Sequence, residues 1–258
     1  MSVHDAPAGS MQDWRAVGKG ENAKIGILFV HGYTGSPLAM RPWAEFFLQR
    51  GYCISVPLLP GHGTRAEDLN HVKWQEWPAK VVEELDWMLS QGLRVFVFGL
   101  SMGGGLALNV ATKHSSSIAG IVLVNPMIHV KFVTPQIAWA VSRIQKMRES
   151  VGDDIKRPGV TEHGYDSLPL IGLYQLIKML SYTRKRLHDV TPPLMLFHSK
   201  IDHTLPVSNT EIVMAGVGCN PKQRIELVNS YHVATLDYDQ EIIFENSLLF
   251  VQSNTQPK

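Results

Sequence analysis

Cysteine is scarce in this 258-residue chain: only Cys53 and Cys219 occur, far apart in sequence. That excludes a disulfide framework, and Cys53 opens an apolar run, so both read as reduced thiols in or near the core. Net charge is equally scant, +1 from 24 Lys/Arg against 23 Asp/Glu. Such a balance exerts no overall pull toward nucleic acid, and no nucleic-acid partner is expected. No uninterrupted apolar stretch approaches the ~20 residues of a membrane span, so no transmembrane segment is expected. Residues Met1–Asp5 lack a basic n-region and an apolar h-region. No secretion signal is therefore predicted and a cytoplasmic location is the expectation, other export routes staying open. H-E-x-x-H, paired C-x-x-C, G-x-x-x-x-G-K-[ST] and G-x-G-x-x-G after a strand are all missing, so neither a metal nor an organic cofactor is expected.

What is present is apolar and regularly interrupted. Hydrophobic residues make up 45% of the chain and charged ones 18%, enough for one large α/β core with an insertion. The run at 25–30 is too continuous for a half-exposed strand and reads as a buried one, and further strands are expected at 53–58, 94–100, 118–124, 194–197 and 224–228. Helical patterns fall between them at about 37–50, 69–90, 102–114, 207–217 and 239–251, with Pro78 expected to kink or restart the second. Ser36-Pro37 reads as an N-cap followed by proline at the first helical position. Alternation of this kind predicts a mostly parallel central sheet with helices on both faces. The first twenty or so residues are polar and read as a loose arm.

One stretch breaks the alternation. Between Asn125 and Thr191 the pattern is helical with no clear strand. Residues 135–148 carry Ile137, Ala140, Val141, Ile144 and Met147 on one side, and 168–180 are apolar almost all round. A segment apolar on every side packs against several partners or lines a cavity. Residues 127–190 also hold ten Lys/Arg and six Asp/Glu, a net +4 against −3 for the rest. A solvated helical face and an anionic or membrane surface both account for that excess. The expected organisation is a core over 1–126, a helical cap over 127–190 and the remainder of the core over 191–258.

The chemistry centres on Gly99-Leu100-Ser101-Met102-Gly103, after the strand Val95–Phe98 and before a glycine-rich helix start. Strand, tight turn and helix are the context that makes G-x-S-x-G a nucleophile elbow. Side chains two residues either side of such a serine would collide, which accounts for Gly99 and Gly103. A serine hydroxyl needs a base, and the base needs an orienting acid, in the chain order serine, acid, histidine. His232 lies on the loop after the last strand and is the expected base; His31 and His198 are out of order. Asp202 follows the strand at 194–197 and is the expected acid. Asp237 and Asp239 read instead as caps of the last helix, and Asn125-Pro126 ends its strand without a carboxylate. His203 has no assigned role. Two backbone N–H groups are expected to meet the oxyanion: Met102, after the nucleophile, and Tyr33, in the turn His31–Gly35.

At these residues the chain resembles the α/β-hydrolase carboxylesterases, and most closely the small bacterial monoacylglycerol lipases. The resemblance rests on His31–Pro37, Pro60-Gly61-His62-Gly63-Thr64, Gly99–Gly104, Asp202–Pro206 and Asn229–Asp237, and spans nearly all the chain after the arm. It implies an α/β-hydrolase fold with a small helical cap inserted before the acid-bearing strand. It implies the triad Ser101, Asp202 and His232 with the Tyr33 and Met102 amides as oxyanion hole. Ser150–Pro158 and Glu162 are similar to the family's cap motif. There a residue at the position of Val151 lines the acyl pocket, and a glutamate at that of Glu162 holds the glycerol head; an exposed salt bridge is the alternative for Glu162. Gly172 departs from the family, standing where a polar head-group contact can occur. The expected function is hydrolysis of carboxylic esters through an acyl-enzyme, with a monoglyceride or other small acyl ester as partner and a transient membrane-surface contact through the cap. Other acyl esters, a thioesterase or perhydrolase activity, and a non-catalytic ligand receptor are the alternatives. Oligomeric state is not legible.

Overall fold

Strands whose residues are apolar on both sides can only sit in the middle of a molecule, and the inner strands of the sheet are of that kind, while the edge strand at Lys222–Leu227 is largely exposed. The computed structural model describes residues 10–131, 133–150 and 152–255. In chain order its elements are β1 (Trp14–Ala16), β2 (Ile25–Val30), α1 (Arg41–Gln49), β3 (Cys53–Val56), α2 (Glu76–Ser90), β4 (Arg94–Leu100), α3 (Met102–His114) and β5 (Ile118–Val124). Then come α4 (Pro135–Ile144), β6 (Met147–Glu149), β7 (Ser167–Pro169), α5 (Leu170–Arg184), β8 (Leu194–Ser199), α6 (Ser208–Gly216), β9 (Lys222–Leu227) and α7 (Gln240–Ser253). Seven strands form one sheet in the order β1-β3-β2-β4-β5-β8-β9. Only β1 runs antiparallel to its neighbour.

Alternate residues of each strand feed two cores. Leu28, Val30, Val95 and Val97 pack beneath α2, α3, α5 and α6. Ile27, Phe29, Phe96 and Phe98 pack on the other face against Trp43 and Phe47 of α1 and Ile243 and Phe250 of α7. The predicted mostly parallel sheet covered by helices on both faces is the observed one.

Three local expectations are corrected. The arm contributes a strand: Trp14 and Ala16 are buried, and Arg15 between them reaches inward to Glu84 through two 2.8 Å hydrogen bonds. The helix expected over 69–90 begins only at Glu76: a 3₁₀ turn ends at His71, and α2 restarts with Pro78 unkinked in its first turn, where an amide has no intrahelical partner to lose. The segment between β5 and β8 is not purely helical, since β6 and β7 pair as a short antiparallel ribbon. Three-residue strands are too brief for their periodicity to register in sequence. The helix expected over 135–148 therefore stops at Ile144.

Above the carboxyl ends of the strands, α4, the β6–β7 ribbon and α5 form a layer of their own. Leu176, Ile177, Met179 and Leu180 of α5 are buried, while α4 turns Ala138 and Ser142 inward. The apolar side of α4 faces outward instead: Ile137, Trp139, Val141 and Ile144 are exposed, Ile144 by 89%. Among the described residues no helix is long and apolar enough to cross a membrane.

The edge strand depends on one buried carboxylate. Glu84 accepts hydrogen bonds from Arg15 and, at 2.8 Å, from Ser55, and pairs with Lys80 at 2.9 Å. Burial pushes this carboxyl up, but the bonds from Arg15, Lys80 and Ser55 outweigh it and hold it below its ordinary value. A carboxyl depressed in the folded state stabilises above its unfolded pKa of ~4.3, and that contribution is lost as pH falls through the folded value. Glu84→Gln removes the buried charge that Arg15 and Lys80 share, both keeping more exposed partners in Asp13 and Glu83, and should cost ~1–3 kcal/mol at pH 7. Urea unfolding at pH 7 and below pH 4 tests this. The gap to the native protein should narrow in acid, and coincident midpoints at pH 7 would refute the role.

Candidate active site

The turn from β4 into α3 places Ser101 at φ 55° and ψ −119°, a left-handed backbone that costs an ordinary residue energy. The close packing around it enforces this. A Cβ on Gly103 would overlap the carbonyl oxygen of Val30, and one on Gly99 would overlap that of Gly103. The Ser101 carbonyl is held by the amides of Gly104, Gly105 and Met127 at 3.0, 3.2 and 2.9 Å. The hydroxyl-bearing residue opens onto a cavity of about 370 Å³. Met102 is the first residue of α3, where N–H groups lack intrahelical acceptors and point at whatever lies above the helix.

His232 lines the same cavity from the loop after β9. Its Nδ1 lies 2.8 Å from Oδ2 of Asp202, whose side chain is 3% exposed. An ionised carboxylate only accepts, so Nδ1–H donates and Nε2 keeps its lone pair. The other oxygen of Asp202 accepts from the amides of Thr204 and Leu205 at 2.9 and 2.7 Å, which fixes the carboxylate in place. Burial lowers the proton affinity of His232, but the Asp202 hydrogen bond and charge, with Glu162 and Asp154 behind them, outweigh it and raise its pKa.

The rival histidines are occupied elsewhere. His31 is buried, with Nδ1 on the Gly32 carbonyl at 2.9 Å and Nε2 accepting from Leu59 at 3.2 Å. Both bonds suit the neutral ring, and burial pushes its pKa down to about 4. The ring thereby props the Gly32–Thr34 turn that forms one wall of the cavity. Tyr33 in that turn sends its hydroxyl to the Pro169 carbonyl at 2.7 Å. His198 is likewise buried and bonds to Thr210.

Glu162 is not an exposed salt bridge but a wall of the cavity, where burial and the nearby charge of Asp153 push its carboxyl up to about 7 against the opposing pull of His232. Gly35 leaves room for it: a Cβ there would stand 2.9 Å from Oε2 of Glu162. Gly172 is explained by the Tyr33 hydroxyl and the Leu69 carbonyl, which leave no space for a side chain. Leu168 and Leu173 supply apolar wall from β7 and α5. Val151 lies outside the described residues. Among the described residues no group of three His, Cys, Asp or Glu side chains could hold a metal ion.

Three residues escaped sequence reasoning. Asn125, at φ 43° where β5 ends, donates to the His232 carbonyl at 2.7 Å and accepts from Ser199 at 2.8 Å. Its position at a strand end before Pro126 was the available signal. Asp237 does not cap α7. It accepts from the amides of Lys156, Arg157 and Tyr231 at 2.7, 3.1 and 2.9 Å. Asp239 likewise accepts from Asn229 and makes no side-chain cap. Asp154 bonds to the loops carrying Asp202 and His232, and no local signal announces it.

A model of the alpha/beta hydrolase family matches residues 27–243. The chain belongs to the alpha/beta hydrolase family. A thermostable monoacylglycerol lipase of Bacillus sp. (strain H-257) is 40% identical over 89% of this chain and 91% of its own length. A carboxylesterase of Bacillus subtilis (strain 168) is 23% identical over 88% of this chain and 92% of its own. Among solved structures, one from work on the metagenome-derived lipolytic enzymes LipS and LipT shares 33% identity at a TM-score of 0.89, covering 95% of this chain and 98% of that one. The resemblance and the fold class expected from the motifs hold, and the chain is a hydrolase.

The raised pKa of His232 has a sign that can be measured. A proton NMR titration should place its midpoint above the ordinary ~6.5, and Asp202→Asn should lower it. A midpoint at or below 6.5 in the native protein would contradict the electrostatics described here.

Proposed function

We propose that this chain is a serine carboxylic-ester hydrolase acting through an acyl-enzyme, with monoacylglycerols as its preferred substrates. The observation that carries the reading is the Asp202–His232 hydrogen bond at 2.8 Å behind a cavity shared by His232 and Ser101. The 40% identity to a monoacylglycerol lipase supports the substrate class.

In this reading Nε2 of His232 takes the Ser101 proton as the hydroxyl oxygen attacks the ester carbonyl. The negative charge that develops meets the Tyr33 and Met102 amides, each removal of such a donor costing ~3–4 kcal/mol of barrier. His232 returns its proton to the leaving alcohol. Water then enters and gives a proton to His232 as its oxygen attacks the acyl carbonyl, and His232 returns that proton to the Ser101 oxygen as the fatty acid leaves. Asp202 holds the imidazole tautomer and stabilises its cation. The acyl chain lies along Leu168 and Leu173. Glu162 meets the glycerol hydroxyls, for which a carboxyl titrating at about 7 can both accept and donate. Residues 127–190 act as the cap between the core portions 1–126 and 191–258. The outward apolar side of α4, with Arg143 at its end, suits transient contact with a membrane surface.

Ser101→Ala should leave only trace hydrolysis of a p-nitrophenyl ester with a native circular dichroism spectrum, and a fluorophosphonate should label Ser101 in the native enzyme. A variant retaining near-normal turnover would end the proposal. The substrate is tested by a chain-length series of monoglycerides beside matched diglycerides, triglycerides and acyl-CoA. Each buried methylene is worth ~0.8 kcal/mol, so kcat/KM should rise up to about fourfold per carbon until the cavity is filled. Diglycerides and triglycerides should be poor substrates. Preferred turnover of acyl-CoA would favour a thioesterase.

A further inference from the structure

The cap reaches back to the catalytic loops through one carboxylate. Asp154 follows β6 in the cap, and its side chain is only 9% exposed. Its Oδ1 lies 2.8 Å from Nδ1 of His203. Its Oδ2 accepts from the amide of His203 at 3.0 Å, from the amide of His232 at 3.3 Å and from the hydroxyl of Thr204 at 3.4 Å. Its own carbonyl accepts from the Val233 amide at 3.1 Å. One residue therefore bonds to the turn that follows Asp202 and to the backbone of His232 itself. The two loops leave different strands, β8 and β9, and their separation sets the Asp202–His232 distance.

We propose that Asp154 is a positioning residue that holds the acid-bearing and base-bearing loops in register and supplies negative charge beside the imidazole. The proposal rests on the triad reading above. Two observations favour it over simple attachment of the cap. Attachment is already provided one step along the chain, where Asp237 binds the Lys156 and Arg157 amides and the Lys156 ammonium bonds to Asn229 at 2.6 Å. Asp154 adds a buried charge within reach of a ring that becomes cationic during turnover. The charged groups facing His232 are Asp202, Glu162 and Asp154, and those facing Asp154 are His203 and His232. His203, which has no role legible in sequence, is thus the outer hydrogen-bond partner of Asp154, its ring set edge-on to Tyr231 at 4.5 Å.

Asp154→Asn keeps the size and one acceptor but removes the charge. In the full-length enzyme kcat should fall about tenfold or more, with KM within about twofold, because the loss falls on the transition state rather than on substrate binding. The acid limb of kcat/KM should move to lower pH, since a carboxylate that favoured the imidazolium has gone. His203→Ala, at a half-exposed position, keeps the carboxylate. It should lower kcat by a smaller factor, about twofold to threefold, without moving the acid limb down. Native kcat and an unmoved acid limb in Asp154→Asn would overturn the proposal. So would a rise in KM alone, which marks a direct substrate contact. If Asp154→Asn does not fold, unchanged kcat in His203→Ala overturns it. Fluorophosphonate labelling separates the two readings. Native enzyme that fails to label at Ser101 removes the triad, whereas native enzyme that labels beside an Asp154→Asn variant that labels and turns over equally fast removes only Asp154.

Discussion

Helix α3 begins against the backbone of β2, and that contact governs the site. Gly103 presses on the carbonyls of Val30 and His31 closely enough that no Cβ fits between them. The chain can leave β4 and meet that helix only by turning at Ser101 through a left-handed conformation. The same turn lifts the hydroxyl off the sheet and leaves the first amides of the helix pointing toward the cavity. Backbone strain of this sort costs ~1–3 kcal/mol and survives because the packing on both sides over-determines it. The β5 end adds to it, with the Ser101 amide on the Val124 carbonyl at 3.0 Å and Met127 donating back to Ser101.

Around that turn, the segment between β5 and β8 is joined to the rest of the molecule on two sides. On the side of the Gly32–Thr34 turn, the Tyr33 hydroxyl holds Pro169, the Thr34 carbonyl accepts from Tyr165 at 2.8 Å and the Ser36 hydroxyl donates to the Glu162 carbonyl at 3.0 Å. On the side of the histidine loop, Asp154 and Asp237 bind the stretch between β6 and β7 to the backbone around Tyr231 and His232. These bonds involve largely buried groups, where a lost partner costs more than a bond formed in water gains. The part of this segment next to the cavity is therefore fixed by hydrogen bonding. Its outer helix, α4, has a free apolar side and only small residues turned inward.

How much of this was legible follows from the range of each signal. The elbow could be read because strand, glycine, serine, glycine and helix are contiguous. Asp202 and His232 could be read because loops after strands gather at one edge of a parallel sheet. The face of α4 was visible as a pattern, but whether it turns inward depends on α5, whose own pattern is apolar all round and names no partner. Asn125 and Asp154 act through backbone groups 49–107 residues away in the chain, and Asp237 through the Lys156 and Arg157 amides 80–81 residues away besides that of Tyr231. An asparagine or aspartate in a loop carries no local mark of such a partner, so Asp237 read as a helix cap.

The sequence by itself determined the sheet, its burial on both faces, the turn at Ser101 and the order of hydroxyl, carboxyl and imidazole. Those features follow from periodicity and from steric limits within a few residues. Only the tertiary structure decided that Glu162 faces the cavity, that Gly172 makes room for Tyr33, and that Asp154 bonds to both the Asp202 and His232 loops. Each of these depends on which distant groups compete for the same small space. That competition is resolved by packing and hydrogen bonding across the whole molecule, and it leaves no trace in neighbouring residues.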